Sequence, residues 1–162
     1  MEDHPFDALS AHHREKVRSA LVAAFGSTPI DAIARIAGGA STASTFRLDV
    51  GRRAYLLRVE GQPSPLRNPH QYVSMRIAAE AGIAQEVHYI DETARVAVID
   101  FIEQQPLNTY PGGPHALAQA LGGLLSRVQA TPTFPFFVNY PDIVARLLAH
   151  VRANRPVCAG RA

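Results

Sequence analysis

An alternating run of residues at 46–50 (FRLDV) limits the fold of this chain more than any other feature. Apolar and charged side chains alternate along it, and a period of two is typical of a β-strand with one buried face. Gly51 and two arginines follow, and a second apolar run occupies residues 54–59. An apolar stretch at 33–37 precedes both runs. Because turn residues separate the three segments, we expect three consecutive antiparallel strands.

The rest of the chain contains helices and two further strands. Apolar residues at helical spacing, with capping residues at the ends, predict helices at 10–25, at 68–82, from near 114, and over 143–151. Short apolar runs joined by a polar turn predict strands at 86–90 and 95–99. The expected fold class is therefore α+β, with a five-stranded antiparallel sheet and a packed helix followed by further helices.

Composition and charge narrow the possible functions. The 162 residues are 47% hydrophobic and 19% charged, which is typical of a globular domain. No apolar run approaches the length of a membrane span, and the basic residues behind the net charge of +2 are dispersed, which argues against nucleic-acid binding. Cys158 is the only cysteine, and the acidic N-terminus does not resemble a signal peptide, so a reducing cytoplasm is expected. Lys16 is the only lysine, so any role usually filled by lysine must fall to arginine.

A bend of small residues separates the first two strands. It contains Gly38, Gly39, Ser41 and Thr42. Backbone N–H groups in such a bend can approach phosphate oxygens, and hydroxyl groups add further donors. The same residues also suit a simple tight turn, which is the more common role of such a bend when nothing else is known.

Five segments of the sequence carry a resemblance to a known family. In chain order they are GGAST with TFRLDV, YLLRVEG, MRIAAEAGIA with HYID, VAVIDFIEQQPL, and LGGLLSRVQATPTFP. Together they resemble the aminoglycoside phosphotransferase and choline kinase family, which has a protein-kinase-like fold. The resemblance extends over about 31–151. It implies a nucleotide-binding lobe with a leading helix at 1–104, and a linker with the first helices of a second, truncated lobe at 105–162.

The resemblance also implies how phosphates are held. The bend residues Gly38, Gly39, Ser41 and Thr42 would cover the nucleotide phosphates. Arg58, in the third strand, would be the cation that pairs with them, and a guanidinium suits that task. The family places a carboxylate on the following helix to hold this cation, and its position corresponds to Gln71. Glu80, the carboxylate of that helix, is expected to be solvated.

Adenine recognition in such proteins uses backbone groups that follow the fifth strand. Here these groups belong to Asp100, Phe101 and Ile102. Val98 and Ile36 are candidate apolar walls for the base, although ordinary core packing explains either residue equally well. Glu103 could contact a ribose hydroxyl or be solvated.

The reacting groups of the family lie in its second lobe, and this sequence does not supply them. The family has a His-x-Asp segment with the catalytic aspartate and a later aspartate that binds magnesium. Asp142 is the only acidic residue after Glu103. We therefore assign no catalytic and no metal-binding residue, and expect a truncated chain without turnover. The full enzyme would use ATP and magnesium to phosphorylate a hydroxyl of a small acceptor, most simply an amino alcohol.

A second interpretation remains open. The chain could be a non-catalytic module that binds nucleotide or a protein partner. The later helices have apolar faces that an incomplete second lobe would leave uncovered, and such faces favour self-association or a partner.

Overall fold

The computed structural model describes residue 6 and residues 9–37, 43–61, 68–136 and 140–153. The helices are α1 (Ala11–Phe25), α2 (Gln71–Glu80), α3 (Gly113–Ala130) and α4 (Tyr140–Ala153). The strands are β1 (Ala32–Arg35), β2 (Ser44–Val50), β3 (Arg53–Val59), β4 (Val87–Asp91) and β5 (Val96–Asp100). The predicted α+β class and the predicted order of elements are confirmed.

The strands form one five-stranded antiparallel sheet in the order β1-β2-β3-β5-β4. The first three strands are neighbours in sequence and in space, whereas β5 lies between β3 and β4. The chain therefore leaves the middle of the sheet after β3, passes through α2, and returns at the edge as β4. In the register, Leu57 of β3 lies between Phe46 of β2 and Val98 of β5. This places β3 at the centre of the sheet.

One face of the sheet forms the hydrophobic core beneath α1. Side chains of a strand alternate between the two faces, and residues 46, 48 and 50 of β2 are buried on this face, as the alternation predicted. The largest fully buried side chains are Leu9, Leu48, Leu57, Val17, Val59, Val96 and Val98. Helix α1 is therefore part of the folded unit and covers this core face of the sheet.

The opposite face, which we call the second face, carries the charged residues Arg47 and Asp49 of β2 and Arg58 of β3. Thr45 lies across from Arg58, which in turn lies across from Ala97. Arg47 lies across from Leu56 in the same way. Cross-strand partners share a face, so the second face combines a cation with an apolar surface.

The start of α2 differs from the expectation. The sequence predicts a helix over 68–82, but the helix begins at Gln71 with His70 in the capping position. The Oδ1 atom of Asn68 instead accepts a hydrogen bond from the His70 N–H at 2.8 Å. Asn68 thus stabilises a turn before the helix rather than the first helical turn. The C-terminal end agrees with the prediction, since Gly82 follows the helix with φ +65°.

The last two helices expose apolar side chains, as the sequence predicted. Leu125 on α3 is 62% exposed and Val151 on α4 is 51% exposed. One hydrogen bond anchors α3 near α2, from the Arg127 Nη1 atom to the Gly82 carbonyl at 3.3 Å. None of the helices in the described part of the chain is both long and apolar enough to cross a bilayer.

Lys16 lies on α1 beside a turn that carries another cation. Partial burial, and secondarily the charge of Arg95, lower the pKa of Lys16 from its ordinary value of 10.5. A lysine whose pKa is lower in the folded chain destabilises the fold at neutral pH. That penalty is relieved as the pH rises from the lowered pKa to 10.5. We therefore expect Lys16→Met to raise the midpoint of thermal unfolding at pH 7, with a gain that shrinks toward pH 10.5.

Thermal melts of the parent chain and the variant across this pH range measure the effect. Arg52→Met is the control, because Arg52 is an exposed cation in the β2–β3 turn. It should show no comparable pH dependence. A gain for Lys16→Met that stays constant with pH would contradict the explanation by charge.

Candidate nucleotide site

The bend between β1 and β2 lies at the same end of the sheet as Arg58. Gly38, Gly39, Ser41 and Thr42 fall outside the described residues. The strands that flank them are described, and the Ile36 N–H donates to the Thr45 carbonyl at 2.9 Å. Because Thr45 is also the cross-strand partner of Arg58, the bend starts beside this arginine.

Arg58 is held by a carboxylate of its own strand segment. Its Nε–H donates to the Oε1 atom of Glu60 at 2.6 Å. The Arg58 side chain is 31% exposed and that of Glu60 is 5% exposed. The Glu60 N–H donates to the Arg95 carbonyl at 3.0 Å, which ties this carboxylate to the β4–β5 turn. The sequence reasoning missed Glu60, although a carboxylate two positions after a strand arginine shares its face.

Gln71, which the resemblance places at the carboxylate position, is the first residue of α2. Its side-chain Nε2 atom is buried and has no hydrogen-bond partner among the residues that the structure describes. A buried amide donor without an acceptor costs free energy. The donor is therefore available to an acceptor from outside the described protein atoms.

The three residues predicted for adenine recognition differ in their backbone hydrogen bonds. The Asp100 N–H donates to the Glu86 carbonyl at 3.0 Å, and the Phe101 N–H donates to the Ala54 carbonyl at 3.4 Å. The Ile102 N–H makes no backbone hydrogen bond to any residue in the described ranges, and the Ile102 side chain is 64% exposed. Of the three predicted adenine-recognition residues, Ile102 has the backbone N–H best placed to meet a ligand.

The side chain of Asp100 belongs to an ionic cluster at the edge of the sheet. It accepts a hydrogen bond from the His88 Nε2 atom at 2.7 Å, and Arg53 Nη2 lies 3.5 Å from the same oxygen. The ligand atoms of Glu86, His88 and Asp100 lie within 4.8 Å of one another. The guanidinium beside Asp100 opposes the binding of a metal cation there. The cluster fixes the start of the segment that contains Phe101.

Arg47 connects β2 to the segment after β5. Its guanidinium carbon lies 4.9 Å from the centroid of the Phe101 ring, a distance suited to a cation–π contact. Its Nε–H donates to Asp49 at 3.0 Å, and its Nη1 atom donates to Glu103 at 3.3 Å. The hydrogen bond and charge of Asp49, followed by those of Glu103, raise the pKa of Arg47. Glu103 is thus bound to Arg47.

The apolar wall beside Arg58 differs in part from the expectation. Val98 is fully buried on the core face, so it belongs to the core and not to a wall for a base. Ile36 follows β1 and is half-buried. Leu56, two residues before Arg58, and its cross-strand partner Ile99 lie on the second face. Alternation along β3 could have identified Leu56, because residues two apart share a face.

Comparison with known proteins identifies the fold. No protein-family model and no curated protein matches the sequence. A choline/ethanolamine kinase family protein from Mesorhizobium loti superposes with a TM-score of 0.56 at 23% identity, over 91% of this chain and 49% of that protein. Choline kinase LicA from Streptococcus pneumoniae superposes with a TM-score of 0.46 at 10% identity, over 57% of this chain and 32% of that protein.

The first of these similarities confirms the fold that the sequence segments implied. This chain spans about half the length of the Mesorhizobium loti protein. The chain therefore has the fold of the corresponding half of this choline/ethanolamine kinase family protein.

Proposed function

We propose that the chain is the ATP-binding lobe of a phosphotransferase of the choline kinase type. The observation that carries this proposal is the position of Arg58. It lies on the second face, it is held by the buried Glu60, and it lies at the end of the sheet where the small-residue bend begins. A small-residue bend that begins beside a fixed cation suits a nucleoside triphosphate, which needs positioning and charge neutralisation.

Each part of the proposed site has a specific role. The guanidinium of Arg58 offers a planar fork to two phosphate oxygens. The backbone of Gly38 and Gly39, with the hydroxyl groups of Ser41 and Thr42, would supply further donors. Adenine would pack on the apolar second face and accept a hydrogen bond from the Ile102 N–H. Phosphoryl transfer requires mainly positioning and charge neutralisation, and this lobe would provide both for the nucleotide.

The acceptor and the reacting groups are assigned to the whole enzyme. We propose that it transfers the γ-phosphate of ATP, with magnesium, to a hydroxyl of a small amino alcohol. Because ATP is the substrate, we place the enzyme in the cytoplasm. Residues 1–104 would form the nucleotide-binding lobe, and 105–162 the linker and first helices of the second lobe. We assign no catalytic or magnesium-binding residue to these 162 residues, so they should bind nucleotide without turning it over.

Titration with a series of nucleotides tests the proposal. Calorimetry of the chain with ATP, ADP, AMP and adenosine should show that affinity increases with each added phosphate. We expect ATP to bind about thirtyfold more tightly than adenosine, since charge-assisted hydrogen bonds contribute roughly 2 kcal/mol. The difference in affinity between ATP and adenosine should decrease as the salt concentration rises.

Two outcomes of these measurements contradict the proposal. Equal affinity for adenosine and ATP would rule out a phosphate site at Arg58. Robust phosphate transfer to amino alcohols by the pure chain would contradict its assignment as a lobe without the reacting groups.

The non-catalytic module is the second candidate, and the exposed apolar faces of α3 and α4 support it. Leu125, Leu147 and Leu148 are 62%, 44% and 48% exposed. Light scattering combined with the nucleotide titration separates the two functions. A chain that binds ATP supports the enzyme lobe, and an oligomer that binds no nucleotide supports the interaction module.

A further inference from the structure

We propose that Glu60 is the positioning residue that holds Arg58 ready for the nucleotide phosphates. The family resemblance gives this task to the helix, at the position of Gln71. The structure shows the carboxylate on the strand instead. The inference rests on the proposed function and adds a residue and a consequence to it.

The geometry of a β-strand brings the two side chains together. Residues two apart on a strand point to the same face, and β3 is hydrogen-bonded on both sides, to β2 and to β5. The backbone that carries Arg58 is therefore held by two neighbouring strands. The 2.6 Å separation of the Arg58 Nε and Glu60 Oε1 atoms is that of a charge-assisted hydrogen bond.

Burial makes the pair persistent. The Glu60 side chain is 5% exposed, so an ionised carboxylate there requires a cation and hydrogen bonds. The backbone N–H of Glu60 is itself bound to the Arg95 carbonyl at 3.0 Å. Arg95 has φ +59°, an unusual value for a residue with a side chain. The β4–β5 turn therefore holds the Arg95 carbonyl in the orientation that accepts the hydrogen bond from the Glu60 N–H.

Gln71 adds no charge to this arrangement. A glutamine side chain is neutral, and within the described ranges its Nε2 donor has no hydrogen-bond partner. The helix therefore contributes no carboxylate at the position where the resemblance expects one. Glu80, at the other end of α2, is exposed.

This placement has a consequence for regulation. In protein kinases the partner carboxylate lies on a helix, so displacement of the helix breaks the ion pair. In this chain both partners belong to one strand segment. Displacement of α2 therefore removes neither partner of the contact between Arg58 and Glu60.

Substitutions at Glu60 test this role through the difference between ATP and adenosine. Glu60→Ala should lower ATP affinity about tenfold, because the cation loses its fixed orientation. Adenosine affinity should change less than about twofold, since adenosine has no phosphate for Arg58 to contact. Glu60→Gln should keep ATP affinity within about threefold of the parent, because the amide oxygen can accept the same N–H. Calorimetry of each variant measures both affinities.

A double-mutant cycle connects the effect to Arg58. In a chain that carries Arg58→Met, Glu60→Ala should cause no further loss of ATP affinity. Glu60→Asp keeps the charge but shortens the side chain. Its loss of ATP affinity should therefore lie between the losses of Glu60→Gln and Glu60→Ala. This variant also serves if Glu60→Ala fails to fold in a thermal melt.

Glu80→Gln is the matched control on α2 and should leave ATP affinity unchanged. If Glu60→Asp lost affinity equally for ATP and adenosine, Glu60 would have only a structural role. The same conclusion would follow if Glu60→Ala lowered ATP affinity as much in the Arg58→Met chain as in the parent. A loss of ATP affinity in Glu80→Gln would mean that a carboxylate of α2 positions Arg58. Either result overturns the proposal while the parent still binds ATP. A parent chain that binds no ATP contradicts the proposed function, and with it the role of Glu60.

Discussion

Arg58→Met is expected to lower the affinity of the chain for ATP about thirtyfold, because a charged hydrogen bond to phosphate contributes roughly 2 kcal/mol. Methionine fills similar space but carries no charge and no donor. The affinity for adenosine should stay within about twofold of the parent, since the base binds elsewhere on the second face. Calorimetric titration of both ligands at one salt concentration measures the two affinities.

Arg52→Met is the control for Arg58→Met, since it removes the same charge from an exposed position in the β2–β3 turn. It should leave both affinities unchanged. Arg58→Lys should lie between the parent and Arg58→Met, because an ammonium keeps the charge but loses the planar fork. If Arg58→Met bound ATP as tightly as the parent, the phosphates would be held by other groups, and the proposed site would be wrong.

Leu57→Ala is expected to reduce the free energy of unfolding by about 3 kcal/mol, the usual cost of removing a fully buried leucine. Leu57 is 0% exposed, at the centre of the core face, between Phe46 and Val98 of the flanking strands. Neighbours held in strands on both sides cannot close the cavity. The midpoint of thermal unfolding should fall by about 9 °C for a chain of this size, as measured by circular dichroism.

Leu56→Ala provides the matched control on the same strand. Leu56 is half-buried on the second face, outside the core cluster. Truncation of the Leu56 side chain should reduce the free energy of unfolding by about 1 kcal/mol, because less buried apolar area is lost than at Leu57. A larger loss at Leu56 than at Leu57 would mean that the assignment of the two faces of β3 is reversed.

The strands were predictable to within two residues. The predicted runs 46–50 and 54–59 correspond to Ser44–Val50 and Arg53–Val59. Alternation in burial is a local property that each strand displays in its own residues. The insertion of β5 between β3 and β4 has no such local signal. The order of the strands in the sheet was therefore established by the structure.

The candidate site was predictable in part. Arg58 could be singled out because the resemblance marks its position. The contact between Arg47 and Glu103 joins residues 56 positions apart and has no counterpart in the local pattern. Val98 was a candidate wall through the resemblance, but its register with Leu57 places it in the core.

Local patterns in the chain were enough to establish the α+β class, the positions of the strands and the alternation that separates core residues from Arg58. The partner of that arginine was established only by the folded arrangement, which buries Glu60 beside the β4–β5 turn and, in the part of the chain that is described, gives the Gln71 amide donor no partner. The reason is physical: alternation is repeated every two residues along one strand, whereas burial and charge pairing depend on segments that meet only after the sheet has formed.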